Sequence, residues 1–324
     1  MSLRLCIIGA GAMGARIAEA ADRIDGVEVI AVVDRDAARS RDLAERWGAQ
    51  HFSGIEELPA AHGIDAAYIG VPHDLHRAAC VQAMNQGLHV LVDKPLCNTQ
   101  VEAEQILAAR DEAGVRLMVG FSYRYRAEWI QARQLVSAGA IGTPRLVVDT
   151  LLEASQGTPA WYWSVEAGGG VLQLQSHHCF DRLAWVLGDS FTSVSCRVSG
   201  VEGFAEDTAI INGSTAGGAL VSIDIGFGRD YSAQPRPSTV IQGDSGQIVI
   251  DHGRRLIVES AELGQREFDH SSDDWLHREL SEFAEVCAGS RQDYPAGEDG
   301  RVALGCALAA GDSARADGTP VGVR

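Results

Sequence analysis

Residues 9–14 read Gly-Ala-Gly-Ala-Met-Gly. They follow a short apolar run, 3–8, and open a stretch with apolar residues at helical spacing, 12–24. A G-x-G-x-x-G sequence by itself is a weak signal, and its setting makes it a strong one. The next apolar run, 27–34, ends in Asp34, about 20 residues after Gly14, which is where a dinucleotide-binding βαβ unit places its acid. Gly9 permits the tight turn, Gly11 lets a pyrophosphate approach the backbone, and Gly14 allows close helix–strand packing. The helix opening at Ala12 and Met13 supplies N–H groups and a positive dipole end. Asp34 would bond the adenosine ribose hydroxyls and repel a 2′-phosphate, which favours NAD. Arg35 beside it leaves NADP open.

The same alternation continues to residue 121. Strand-like runs at 64–72, 88–93 and 115–121 are separated by helical stretches at 35–48, 73–87 and 99–114. Strands separated by helices of this length imply βαβ units and a parallel sheet. Beyond residue 121 the pattern becomes one helix followed by β-like segments joined by short turns, which is the signature of an antiparallel sheet. Helices over 173–187 and 274–288 are expected on one face of that sheet. The expected fold class is α/β: a Rossmann domain over 1–121, then a second α/β domain with a mostly antiparallel sheet over 122–324.

A chain of 324 residues is long enough for two such domains. The net charge of −17 repels phosphate backbones and anionic lipid, so nucleic acid and membrane are poor partners. No apolar run approaches the roughly 20 residues that span a bilayer, and the N-terminal run is too short for a secretory signal. The expected location is the cytoplasm. Seven cysteines, odd in number and without a C-x-x-C pair, support neither a metal site nor a redox motif.

Residues 89–93, His-Val-Leu-Val-Asp, read as a buried strand that stops at Lys94-Pro95, since proline cannot continue a central strand. Ligands of open α/β sheets lie beyond the carboxyl ends of strands. Lys94 is therefore placed to hold a substrate oxygen and stabilise negative charge on it, with Asp93 beside it at the cofactor. A second cofactor edge runs from Gly70 through Val71 and Pro72 to His76.

These stretches resemble the family of glucose-fructose oxidoreductase, inositol dehydrogenase and their rhizopine-catabolism relatives (Gfo/Idh/MocA). The matching segments are 9–14, 70–76, 87–99, 119–125, 168–188 and 297–323. The family's Glu-Lys-Pro is here Asp93-Lys94-Pro95. The resemblance implies a large open sheet in the second domain, a homo-oligomer (dimer or tetramer) formed through that sheet, and a catalytic role for Lys94. It also places the family's histidine on His178 and its last acid on Asp181. The family's first acid falls on Leu174, which can neither accept a proton nor raise the histidine's pKa.

Read from the residues, His178 and Asp181 stand at i, i+3 and share a helix face. Histidine is the usual general base near neutral pH. Asp181 either orients the imidazole or pairs with an arginine. Tyr123 and Arg124 follow the last Rossmann strand, and Trp161 and Tyr162 precede the glycines at 168–170. Aromatic faces suit sugar C–H faces, and arginine suits a carboxylate. The small-molecule substrate expected from this set is a sugar, sugar acid, cyclitol or cyclic diol, oxidised or reduced at a secondary alcohol or carbonyl. Two alternatives stand beside this one: an NAD-assisted hydrolase or lyase with a resident cofactor, and a non-enzymatic dinucleotide-binding regulator.

Overall fold

The computed structural model describes residues 2–58, 63–154, 157–201, 203–228 and 236–323. The chain divides into two compact units. The first comprises residues 1–121 and 275–301, and the second 122–274 and 302–324.

The first unit opens with β1 (Leu3–Ile8), α1 (Ala12–Asp22), β2 (Val27–Val33), α2 (Ala37–Trp47) and β3 (Gln50–Phe52). It continues through β4 (Ala66–Ile69), α3 (His76–Asn85), β5 (His89–Asp93), α4 (Gln100–Ala113) and β6 (Leu117–Gly120). Among the described residues the six strands form a parallel sheet in the order β3-β2-β1-β4-β5-β6. Residues Ala66–Ile69 and Val90–Val92 are fully buried, as strands covered on both faces require. The helices are bounded by their own side chains. Asp36 accepts from the Ala38 and Arg39 N–H groups at the start of α2. Thr99 and Glu102 form a reciprocal capping box on α4. Gly48 and Gly114 end these two helices in the left-handed conformation.

The second unit begins with α5 (Ala127–Ser137), β7 (Pro144–Ala154) and α6 (His177–Leu187). Then come β8 (Phe191–Ser199), β9 (Thr208–Thr215), β10 (Leu220–Gly228), β11 (Ser238–Gly243), β12 (Gly246–Asp251), β13 (Arg255–Ser260) and β14 (Gly264–Asp269). After α7 (Trp275–Cys287) and α8 (Gly297–Arg315), β15 (Val321–Gly322) ends the chain's regular structure. The described residues form a nine-stranded sheet in the order β14-β13-β12-β11-β7-β10-β9-β8-β15, antiparallel except where β7 meets β10. Strand alternation buries Val147, Asp149 and Leu151 of β7 on one face, while Leu146, Val148 and Leu152 face the other way and are exposed. The buried face packs with α5 and α6 around Trp129, Phe180 and Leu183.

Helix α7 corrects the sequence reading, which put it on the antiparallel sheet. It belongs to the first unit, where the Arg16 guanidinium lies 5.2 Å from the Trp275 ring. Its buried residues Leu276, Leu280 and Phe283 follow helical spacing. Such a stripe announces a packed helix without naming the surface that it packs on. The start of α8 also joins the first unit, and a Cβ at Gly300 would press on Leu96 and Val119.

Candidate functional site

In the first unit, the carboxyl ends of β1, β2, β4 and β5 carry residues 9–14, 34–35, 70–72 and 93–95. Gly9 has a φ of +103°, and a Cβ there would collide with the Gly70 carbonyl, so the loops after β1 and β4 meet backbone to backbone. A Cβ on Gly14 would run into the Gly9 carbonyl oxygen. A Cβ on Gly11 would meet no atom within 4 Å. That open space lies at the start of α1, whose first turn holds no acid and whose Gly11 cap makes no side-chain bond. A pyrophosphate fits such a cradle. Ala12 is exposed and Met13 half-buried, its sulfur contacted by Arg16 at 3.6 Å.

Asp34 is half-buried, with its oxygens accepting from Ala10 N–H at 2.8 Å and Asp36 N–H at 2.9 Å. These bonds fix a carboxylate at the end of β2, where an adenosine ribose would reach it. Arg35 is exposed. The residues present therefore fit a dinucleotide.

Asp93 accepts the Lys94 N–H at 2.9 Å and faces the Tyr68 hydroxyl at 3.4 Å. Burial and the Asp93 charge push the Tyr68 hydroxyl well above its ordinary range. Tyr68 went unnoticed in the sequence, where it reads as one more residue of a buried strand. Lys94 and Asp93 are half-buried, Pro95 is buried, and the Lys94–Pro95 peptide is cis.

His76 is placed differently from the expected cofactor contact. It is fully buried, with Nδ1 2.7 Å from the Pro95 carbonyl and Nε2 2.9 Å from the Val71 carbonyl. Both ring nitrogens face backbone carbonyls, so the imidazole lies between the loop after β4 and the loop after β5, next to the backbone that carries Val71 and Lys94. Burial lowers its pKa.

In the second unit, residues 172–176 form a π-helical turn that runs directly into α6. Such turns recur at functional sites. Leu174 is buried and packs in the apolar core, so the position that the family gives to an acid is core here. His178 lies on the first turn of α6, its ring edge-on to Tyr123 at 5.0 Å. His177, on the neighbouring face, meets Gln173 Oε1 at 2.9 Å.

Asp181 resolves toward arginine. Arg124 Nε and Nη2 reach its carboxylate at 3.0 and 2.5 Å. Its partner is thus Arg124, and Arg124 does not present an unbalanced charge to a substrate carboxylate. Tyr123 also departs from expectation. It is buried, with the Arg126 and Arg182 guanidiniums 4.1 and 4.3 Å from its ring centroid, so its faces are occupied by protein. Trp161 and Tyr162 are half-buried, stack edge-on at 4.4 Å and pack on the core. Their carbonyls press against Gly169, where no Cβ would fit.

Beneath this surface is an ion pair with no solvent exposure, Arg182 Nη2 to Asp149 Oδ2 at 2.5 Å. Asp149 also accepts the Thr239 hydroxyl. That hydroxyl has one proton, so His252 Nε2, 2.8 Å away, must donate to it. Burial, with Arg182 and Arg126 nearby, holds the His252 pKa well below the ordinary histidine value.

Residues 3–121 match the family model described as "Oxidoreductase family, NAD-binding Rossmann fold" (GFO_IDH_MocA), and residues 129–249 match the "GFO/IDH/MocA C-terminal domain". The chain belongs to the Gfo/Idh/MocA oxidoreductase family. Its cofactor is NAD, and it is an oxidoreductase. Inositol 2-dehydrogenase 4 of Saccharopolyspora erythraea is 29% identical, over 98% of this chain and 96% of that protein. An oxidoreductase domain protein from Kribbella flavida superposes with a TM-score of 0.90 at 22% identity, each chain covered in full. Levoglucosan dehydrogenase, solved with NADH and levoglucosan, gives 0.88 at 21% identity, again over both whole chains. These two structures share the fold.

Proposed function

We propose that the protein is a dehydrogenase that moves hydride between NAD and a secondary alcohol or carbonyl of a cyclic polyhydroxy compound: a sugar, sugar acid, cyclitol or cyclic diol. The observation that carries this reading is Lys94 at the carboxyl end of β5, its backbone held by Asp93 and followed by the buried Pro95. The names of the relatives, inositol and levoglucosan dehydrogenases, support the substrate class.

Bound NAD supplies the hydride acceptor for oxidation. Lys94 donates a hydrogen bond to the reacting oxygen and stabilises the charge that builds there as the C–H bond breaks. His178, in its neutral form, takes the hydroxyl proton, leaving a carbonyl product. Tyr123 keeps the His178 ring in place. Asp34 holds the adenosine ribose, and the 9–14 turn holds the pyrophosphate.

We also propose a homo-oligomer built on the open sheet face, where Leu146, Val148, Leu152, Ile210 and Leu220 are exposed, with a second copy of the chain as the occupant. Light-scattering mass distinguishes this from a monomer.

The functional test is NADH absorbance with NAD and a panel of sugars, sugar acids, cyclitols and cyclic diols. Free NADH accumulating with turnover supports the dehydrogenase. Product without net NADH identifies a resident-cofactor lyase or hydrolase instead. Tight NAD binding with no product from any member counts against the dehydrogenase and shifts weight to the resident-cofactor lyase or the regulator.

A further inference from the structure

The displacement of an acid from position 174 does not leave this part of the second unit without a carboxylate. Along β7 the buried face carries Val147, Asp149 and Leu151. The next residue on that face, by the strand's period of two, is Glu153. It is half-buried, so its carboxylate is not sealed in the core. Its Oε2 accepts from Gln175 Nε2 at 2.6 Å. Gln175 is itself buried and belongs to the π-helical turn that leads into His178. Glu153's charge is felt at Tyr123 and Cys179, adding to the burial that keeps both protonated. Tyr123 packs on His178, and Cys179 adjoins it. Gln175 stands three residues before His178, so its bond ties Glu153 to the segment that carries the histidine, while Arg124 is held by Asp181.

We propose that Glu153 is a specificity-determining residue of the substrate site: its carboxylate, steadied by Gln175, accepts hydrogen bonds from substrate hydroxyls and disfavours substrates that carry a carboxylate. The preferred substrate is then an uncharged polyol, not a sugar acid. This rests on the dehydrogenase reading and narrows it. A carboxylate bonded to a hydroxyl makes a charge-assisted hydrogen bond, whereas one facing another carboxylate repels it.

The test uses the full-length protein with saturating NAD and matched substrates: glucose and glucuronate, galactose and galacturonate, with myo-inositol and levoglucosan beside them. Wild type, Glu153→Gln and Glu153→Asp are compared by kcat and KM, with NAD affinity and thermal unfolding measured in parallel. Wild type is expected to favour the uncharged member of each pair. Glu153→Gln should raise KM for that member about tenfold, consistent with the loss of one charged hydrogen bond, with kcat changed far less. It should narrow the neutral-to-acid ratio by at least as much, and Glu153→Asp should recover part of it. A purely structural acid would lower kcat and thermal stability together and leave the ratio alone. That result, or a wild type that prefers the acids, overturns the inference and leaves the dehydrogenase intact. A wild type that binds NAD and oxidises nothing in the panel overturns both.

Discussion

Two glycines of the 9–14 turn should fail in opposite ways when replaced by alanine. At Gly14 a Cβ would overlap the Gly9 carbonyl oxygen and sit 3.1 Å from Ile7 Cγ2, and a backbone carbonyl inside a turn cannot step aside. Overpacking of this kind costs about 1–3 kcal/mol. At roughly 2–4 °C per kcal/mol for a unit of this size, Gly14→Ala should lower the apo-protein Tm by about 2–12 °C. At Gly11 the backbone is already extended, with φ −76° and ψ −168°, and a Cβ meets no protein atom. Alanine there trades a poorer helix cap against a less flexible unfolded chain, so apo stability should change by less than about 1 kcal/mol. Its methyl group points into the space assigned to the pyrophosphate, and NAD affinity should fall tenfold or more, about 1.4 kcal/mol. Thermal unfolding of the apo proteins and calorimetric titration with NAD read the two quantities separately. Equal destabilisation by both variants, or a Gly11→Ala that binds NAD like wild type, would refute the cradle.

Asp34→Asn keeps the shape of the β2 terminus and removes the charge. It should shift the NADP-to-NAD affinity ratio toward NADP by about tenfold, the scale of one lost like-charge repulsion. Titration with each dinucleotide checks this. Stability should also depend on pH through His252. Its folded pKa is held well below 6.5 while the unfolded chain titrates near 6.5, so acid protonates the unfolded state first. Stability is therefore full above about pH 6.5 and declines as pH falls below it. His76 and His89, also lowered, act in the same direction. Urea midpoints between pH 5 and 8 should show this slope, and His252→Asn should reduce it. An unchanged slope in that variant would remove His252 as a contributor.

The cofactor half was legible in the sequence because its chemistry is local. Three glycines, an acid about 20 residues on and a lysine before a proline are read from spacing, and backbone geometry follows from them. The substrate half was legible only in residue types. Arg124 reads as a carboxylate clamp until Asp181, 57 residues away, takes its guanidinium. Tyr123 reads as a sugar platform until Arg126 and Arg182 cover its ring. Glu153 escaped notice because its partner sits on a π-helical turn, which no simple periodicity announces. A signal was nevertheless present. Asp149 and Glu153 alternate with Val147 and Leu151 on the inward face of β7, and acids withdrawn from water demand partners.

The central claim is that Lys94 and His178 perform the chemistry while the 9–14 turn and Asp34 hold the cofactor. Its most direct test is NADH formation by Lys94→Met and His178→Asn on the best substrate of the panel, with NAD affinity measured on the same samples. The account predicts that His178→Asn loses about 10²–10⁴-fold in kcat, the usual contribution of a general base. It predicts a loss of about 10²–10³-fold or more for Lys94→Met, the scale of one missing oxyanion donor. Both should bind NAD within about threefold of wild type, a difference under about 0.7 kcal/mol. A variant that keeps wild-type kcat, or one whose lost activity is matched by lost NAD binding, would contradict it.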